Sequence, residues 1–168
     1  NGSMIVAVIP ARGGSKRISR KNVRDFCGKP MIAWSIEAAK TSGCFDRIIV
    51  STDDSEIAGI AEAWGAEVPF IRPVELADDY TGTIPVIRHA VEWLDQNEAP
   101  VRYACCLYAT APFVSAEDLR EGLRLIKTSR SSYAFSVTSY AFPIQRAIRI
   151  TEKGRVAMFS PEHFQTRS

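Results

Sequence analysis

A three-layer αβα domain on a mostly parallel sheet is the fold class this sequence predicts, and three observations predict it. Apolar, β-branched runs suited to strands buried on both faces alternate with helical patterns of about 10–15 residues. The chain has 168 residues, room for one domain that buries roughly 70% of its unfolded surface. Its composition, 46% hydrophobic and 24% charged, is globular rather than disordered. The longest apolar runs fall far short of the roughly 20 residues that cross a bilayer. Residues 4–168 read as a single domain, and Asn1-Gly2-Ser3 before Met4 reads as a cloning scar.

Met4–Pro10 (MIVAVIP) opens the sheet as a continuous apolar run. An Arg/Gly/Ser/Lys-rich stretch from Ala11 to Lys29 follows. Pro30 opens a helix reaching Thr41 or Ser42, because a missing N–H does no harm in the first turn, and Gly43 stops it. Arg47–Thr52 is a second strand, after which Asp53 or Asp54 caps a helix ending at Gly65. Glu67–Ile71 reads as a short third strand, demoted towards an edge by Pro69. A polar loop, Arg72–Gly82, leads to a helix capped at Thr83 with Ile84, Ile87, Val91 and Leu94 on one face. Tyr103–Ala109 is a fourth strand, and Ser115 with Asp118 forms a capping-box-like start to the next helix. Tyr133–Ser139 is a fifth strand. The rhythm breaks after Ala141, where Gln145–Ile150 and Arg155–Phe159 flank Glu152-Lys153-Gly154 as a hairpin.

Ligands of such sheets bind beyond the carboxyl ends of the strands. That rule selects Ala11–Lys29, Asp53-Asp54 and Thr110–Phe113. The first is the most distinctive. Between Arg12 and Lys29 lie seven basic residues and one acid, Asp25, a local net of +6 in a chain whose total is +2. Charge concentrated in one loop suits a compact anion, such as a nucleotide's phosphates, better than a long nucleic acid.

The four cysteines (Cys27, Cys44, Cys105, Cys106) form no CxxC, and the two histidines, His89 and His163, lie far from them in sequence, which argues against zinc. Cys105 and Cys106 read as small buried hydrophobes, and reduced thiols suit a cytoplasmic protein. Asp53 and Asp54 are better explained as caps than as metal ligands, and Asp78 and Asp79 as a solvated loop or orienting groups. His89 reads as structural.

Gly13-Gly14-Ser15-Lys16 directly follows the first strand. Its glycines permit positive φ and close approach to a ligand, and successive N–H groups can form an anion-binding nest. A flexible, solvated basic loop is the plain alternative. Two familiar phosphate motifs fail here: GxGxxG, because the next glycine is Gly28, and GxxxxGK[ST], because Gly14 is followed by Ser15. A third kind of phosphate loop is required.

Ile9-Pro10-Ala11-Arg12-Gly13-Gly14-Ser15-Lys16, continued by Ile18 and Arg20-Lys21-Asn22, resembles the nucleotide-binding signature of the acylneuraminate cytidylyltransferases (CMP-sialic acid synthetases). The resemblance continues through Lys29-Pro30-Met31-Ile32, IIVSTDD, Arg72-Pro73-Val74-Glu75-Leu76-Ala77-Asp78-Asp79 and Ala109-Thr110-Ala111-Pro112. Arg17 in place of a common glycine, and Tyr108-Ala109 before Thr110, are similar to the pseudaminic acid branch.

The resemblance implies a Rossmann-like fold of the nucleotide-diphospho-sugar transferase type, with a C-terminal hairpin serving as a dimerisation arm. It implies transfer of CMP from CTP to an acidic nine-carbon sugar, in a bacterial surface-glycan or flagellin glycosylation setting, by a cytoplasmic homodimer with no nucleic-acid or membrane partner. Arg12 and Lys21 would be the catalytic pair. Ala11, Arg12, Gly13, Gly14, Ser15, Lys16, Lys21, Asn22, Arg72 and Thr83 would hold the nucleotide. Asn22, Arg72 and Thr83 among them match positions that read cytosine and ribose. Tyr108 and Thr110 would line the sugar pocket. Arg72 is also readable as an ordinary surface residue, Thr83 as a helix cap and Tyr108 as core packing. Mg²⁺ is the implied cofactor, with ligands expected beyond Ser168, in a part of the family domain this sequence lacks. Synthetases for N-acetylneuraminate or legionaminate, a non-catalytic nucleotide-binding regulator and a nucleic-acid-binding protein are the competing readings.

Overall fold

The structure, a computed structural model, describes residues 4–13, 23–77, 83–108, 115–128, 146–150 and 156–159. Strand β1 (Met4–Pro10) has the predicted bounds and sits mid-sheet. It pairs in parallel with β4 (Arg47–Ser51) on one side and β5 (Val101–Cys106) on the other. Its side chains alternate between two cores, as a strand's two-residue period requires. Ala7 and Ile9 pack with Ile32 and Ile36 of α1 (Met31–Ser42), Ile57 and Ala61 of α2 (Ser55–Ala63) and Leu119 of α4 (Ala116–Thr128). Val6 and Val8 pack with Ile87, Val91 and Leu94 of α3 (Thr83–Asn97). Helices therefore cover both faces, which is why β1 is apolar throughout.

The helix ends follow local chemistry. Asp54 is the cap of α2, its Oδ1 accepting the N–H groups of Glu56 and Ile57 at 2.8 and 3.1 Å. Ser115 and Asp118 exchange the reciprocal bonds of a capping box, at 3.1 and 3.3 Å. Gly43 closes α1 at φ 68°, in the left-handed region that favours glycine.

Some expectations change. Glu67–Ile71 is not a strand: a single bridge joins Glu67 to Ile49 before Pro69, which has no N–H to extend a ladder. Within the basic stretch, β2 (Asp25–Phe26) and β3 (Lys29–Pro30) form a small hairpin. Its turn holds Cys27 at φ 50° and Gly28 at φ 94°. The C-terminal hairpin, β6 (Arg146–Ile150) and β7 (Val156–Phe159), is present, and β6 pairs antiparallel with β5. The sheet thus runs β4-β1-β5-β6-β7, a parallel core with an antiparallel flank. Tyr133–Ser139 lies outside the described residues. The four cysteines are unbridged; Cys106 is buried, Cys105 packs half-buried against the core, and burial, with Cys44 nearby, pushes the Cys105 thiol up to about 12, which makes it inert.

Candidate functional site

Parallel register brings three loops to one edge. Pro10 pairs with Ser51 and Val8 with Cys106. The chain leaving β1, β4 and β5 therefore carries Arg12 and Gly13, Asp53 and Asp54, and Tyr108 at the carboxyl edge of the sheet.

The first two loops are tied together at their bases. The Ala11 N–H donates to the Ser51 carbonyl at 2.9 Å, and the Gly13 N–H donates to Asp53 Oδ1 at 2.7 Å. Positive φ is not the reason for glycine at 13, since it is absent from the positive-φ glycines Gly28, Gly43 and Gly65. Close approach is: a Cβ there would stand 2.8 Å from both Cβ and Oδ2 of Asp54. The nest expectation gave this N–H to a ligand. In the structure it goes to Asp53, which leaves the neighbouring strand beside it.

Arg72 overturns the surface reading. Its side chain is buried, the residue 4% exposed. Nε donates to Ser51 Oγ at 3.1 Å, Nη2 to the Ser51 carbonyl at 2.6 Å and Nη1 to the Leu76 carbonyl at 3.4 Å. Its own N–H reaches the Thr52 carbonyl at 2.8 Å. Burial pulls its pKa down to about 10, Asp53 opposes the fall and the charge of Arg12 adds to it. Arg72 remains a cation at neutral pH, and these hydrogen-bond acceptors are all neutral oxygens. Two arginines are thus held in the same electrostatic neighbourhood at the mouth of the sheet.

His89, on α3, packs edge-on against Phe70 with ring centroids 4.7 Å apart. Its Nδ1 is buried with no hydrogen-bond partner among the described residues. Burial lowers its pKa, Glu92 opposes this and Arg72 adds to it, so the imidazole stays neutral. Tyr108 is half-buried against the α3-side core, and its carbonyl accepts the hydroxyl of buried Ser35 at 2.8 Å. That bond anchors the third loop to α1.

Gly14, Ser15, Lys16, Lys21, Asn22 and Thr110 lie outside the described residues, as do Asp78, Asp79 and His163. Thr83 is the first residue of α3, and the cap predicted for it rests on chain outside that description. The sequence offers Asp53 or Asp54 as the cap of α2; Asp54 takes that role, and Asp53 instead accepts the Gly13 N–H. The local pattern held no signal for a partner 40 residues away.

The carboxylates nearest the edge do not fit an Mg²⁺ site. Asp53 accepts the Gly13 N–H, and Asp54 caps α2. Among the described residues no three His, Cys, Asp or Glu side chains are grouped to hold a metal. No described helix is long and apolar enough to cross a membrane.

Residues 6–156 match the profile of a protein family described as cytidylyltransferase. The chain is 43% identical over 163 residues to the pseudaminic acid cytidylyltransferase of Campylobacter jejuni, covering 97% of this chain and 70% of that protein. It is 36% identical over 161 residues to the CMP-N,N'-diacetyllegionaminic acid synthase of Legionella pneumophila, covering 96% and 68%. Among solved structures it is similar to CMP:2-keto-3-deoxy-manno-octonic acid synthetase complexed with CTP, with a TM-score of 0.62 and 27% identity. That match covers 77% of this chain and 49% of the other, so the chain spans about half the length of that structure.

Proposed function

This chain belongs to the cytidylyltransferase family, and we propose that it transfers CMP from CTP to a nonulosonic acid, with pseudaminic acid as the acceptor. The observation that carries the reading is the buried Arg72 guanidinium, bonded to neutral oxygens at the carboxyl edge with Arg12 in its field. Two arginines against the one carboxylate of Asp53 leave that edge net positive, which favours a bound anion.

In the proposed reaction the sugar's anomeric oxygen attacks the α-phosphorus, a new O–P bond forms and the α–β phosphoanhydride breaks. Pyrophosphate leaves with the electron pair, and the hydroxyl proton passes to solvent. Such transfers depend on positioning and on stabilising oxygen charge more than on covalent help from the protein. Arg12 can grip phosphate bidentately, and Lys21 would act as a point charge. Ser15 and Lys16 would complete the phosphate contacts, Asn22, Arg72 and Thr83 would read the nucleoside, and Tyr108 and Thr110 would line the sugar pocket. The β6–β7 hairpin would serve a homodimer, which a concentration-independent monomer mass by light scattering would contradict. A cytoplasmic enzyme supplying surface-glycan assembly is the setting this reading implies.

The test is pyrophosphate release from CTP across a panel of nonulosonic acids, in Mg²⁺-containing buffer because the family resemblance implies that cofactor. Fastest release with pseudaminic acid is the expected result. Release with legionaminic acid alone would favour the second reading, which the Legionella relative motivates. Thermal stabilisation by CTP without turnover on any acceptor would overturn the enzymatic reading.

A further inference from the structure

Arg12 is bracketed. On its N-terminal side the Ala11 N–H is held by the Ser51 carbonyl, and on its C-terminal side the Gly13 N–H is held by Asp53 Oδ1. Both acceptors leave the end of β4, and the backbone at 13 lies so near Asp54 that a Cβ would meet it at 2.8 Å. Of the two acceptors, the Ser51 carbonyl belongs to every residue type, whereas the Asp53 carboxylate is a choice of side chain. Asp53 also stands close enough to Arg72 to act on its charge. A carboxylate that accepts an amide N–H from the loop after β1 and acts on the charge of a buried arginine is doing more than starting a helix, the task Asp54 performs.

We propose that Asp53 is a positioning residue for the nucleotide: by accepting the Gly13 N–H it fixes the backbone that carries Arg12, and so presets the grip on the triphosphate of CTP. This rests on the cytidylyl-transfer reading above. The carboxylate acts through Gly13 and Arg12 and contributes no group to the reaction itself. A tie to a charged acceptor is among the stronger hydrogen bonds a loop can have, and preset geometry lowers the ordering cost of binding.

The experiment compares wild type, Asp53→Ala and Asp53→Asn by KM for CTP, by kcat, and by the CTP-induced rise in Tm without acceptor. In Asp53→Ala, kcat/KM falls about tenfold or more, carried mainly by KM for CTP, and the CTP-induced rise in Tm shrinks. Asp53→Asn keeps an oxygen that can accept the Gly13 N–H and recovers most of both losses. A KM for CTP in Asp53→Ala within about twofold of wild type, or below it, overturns the proposal. So does an Asp53→Asn variant as impaired as Asp53→Ala, because the bond and not the charge is claimed. If Asp53→Ala does not fold, Gly13→Ala displaces the same backbone with Asp53 intact, and an unchanged KM there overturns the proposal too. Wild type that binds CTP but turns over no acceptor would sink the transfer reading, while the Tm comparison still decides the tie.

Discussion

Two arginines at opposite ends of β4 are used in opposite ways. Arg47, at the amino end, meets Glu67 with a two-pronged contact, Nε to Oε2 at 2.5 Å and Nη2 to Oε1 at 2.6 Å, and Glu98 lies 3.7 Å from Nη1. The hydrogen bond to Glu67 raises its pKa, more than offsetting burial. Arg72, near the carboxyl end, is more deeply buried, gives its hydrogen bonds to neutral oxygens, and has its pKa pulled down to about 10. Arg47 has its anions built in and serves the fold. Arg72 costs desolvation that hydrogen bonds to neutral oxygens and the field of Asp53 offset only in part, so its pKa stays below the ordinary value where that of Arg47 rises.

The contrast can be broken or sharpened by substitution. Arg12→Ala, in the field of Arg72, has the largest expected effect: a loss of about 2–4 kcal/mol in transition-state stabilisation, roughly 30- to 1000-fold in pyrophosphate release. Its Tm barely moves, and near-wild-type turnover would remove Arg12 from the reaction. Arg72→Ala comes next, with kcat/KM for CTP falling about 10- to 100-fold and Tm falling as well, because Ser51 Oγ loses a buried partner. Unchanged CTP kinetics in that variant would make Arg72 a second Arg47. Arg47→Ala itself leaves turnover intact and costs about 1 kcal/mol, roughly 2–4 °C in Tm, since the pair is partly exposed. A large activity loss there would erase the distinction.

The smallest effect is a pH dependence. The folded-state pKa of His89 is lowered, so the unfolded chain takes up a proton first as pH falls. The stability from neutral His89 is complete above the unfolded value of 6.5 and declines as pH drops through it. His89→Gln should flatten that part of the Tm–pH curve. A curve unchanged by the substitution would show that burial does not hold His89 below its ordinary value.

Much of this was legible in the sequence because it is local. The bounds of β1, the cap at Asp54, the Ser115–Asp118 box and the stop at Gly43 each follow from a few adjacent residues. The carboxyl-edge rule selects the loops holding Arg12 and Asp53 from the strand pattern, and the family resemblance adds Tyr108. What escaped was long-range or atypical. Nothing beside Arg72 announces that it will be buried; its place follows from Ser51, 21 residues earlier. The Cys27-Gly28 turn puts a cysteine at positive φ, where asparagine or aspartate is the usual signal. Glu67–Ile71 has a strand's apolar content, yet Pro69 limits it to one bridge.

The carbonyl of Ser51 accepts two donors at once, the Ala11 N–H and Arg72 Nη2. A backbone oxygen is retained whatever codon occupies position 51, so half of this junction is shielded from genetic drift. Exchange of the serine for alanine forfeits the hydroxyl's bond from Arg72 Nε and leaves the backbone knot between the two loops and the arginine tied. In directed evolution of acceptor preference, position 51, fully buried, can therefore take another small residue without undoing the nucleotide side, whereas a bulkier one would overpack the junction.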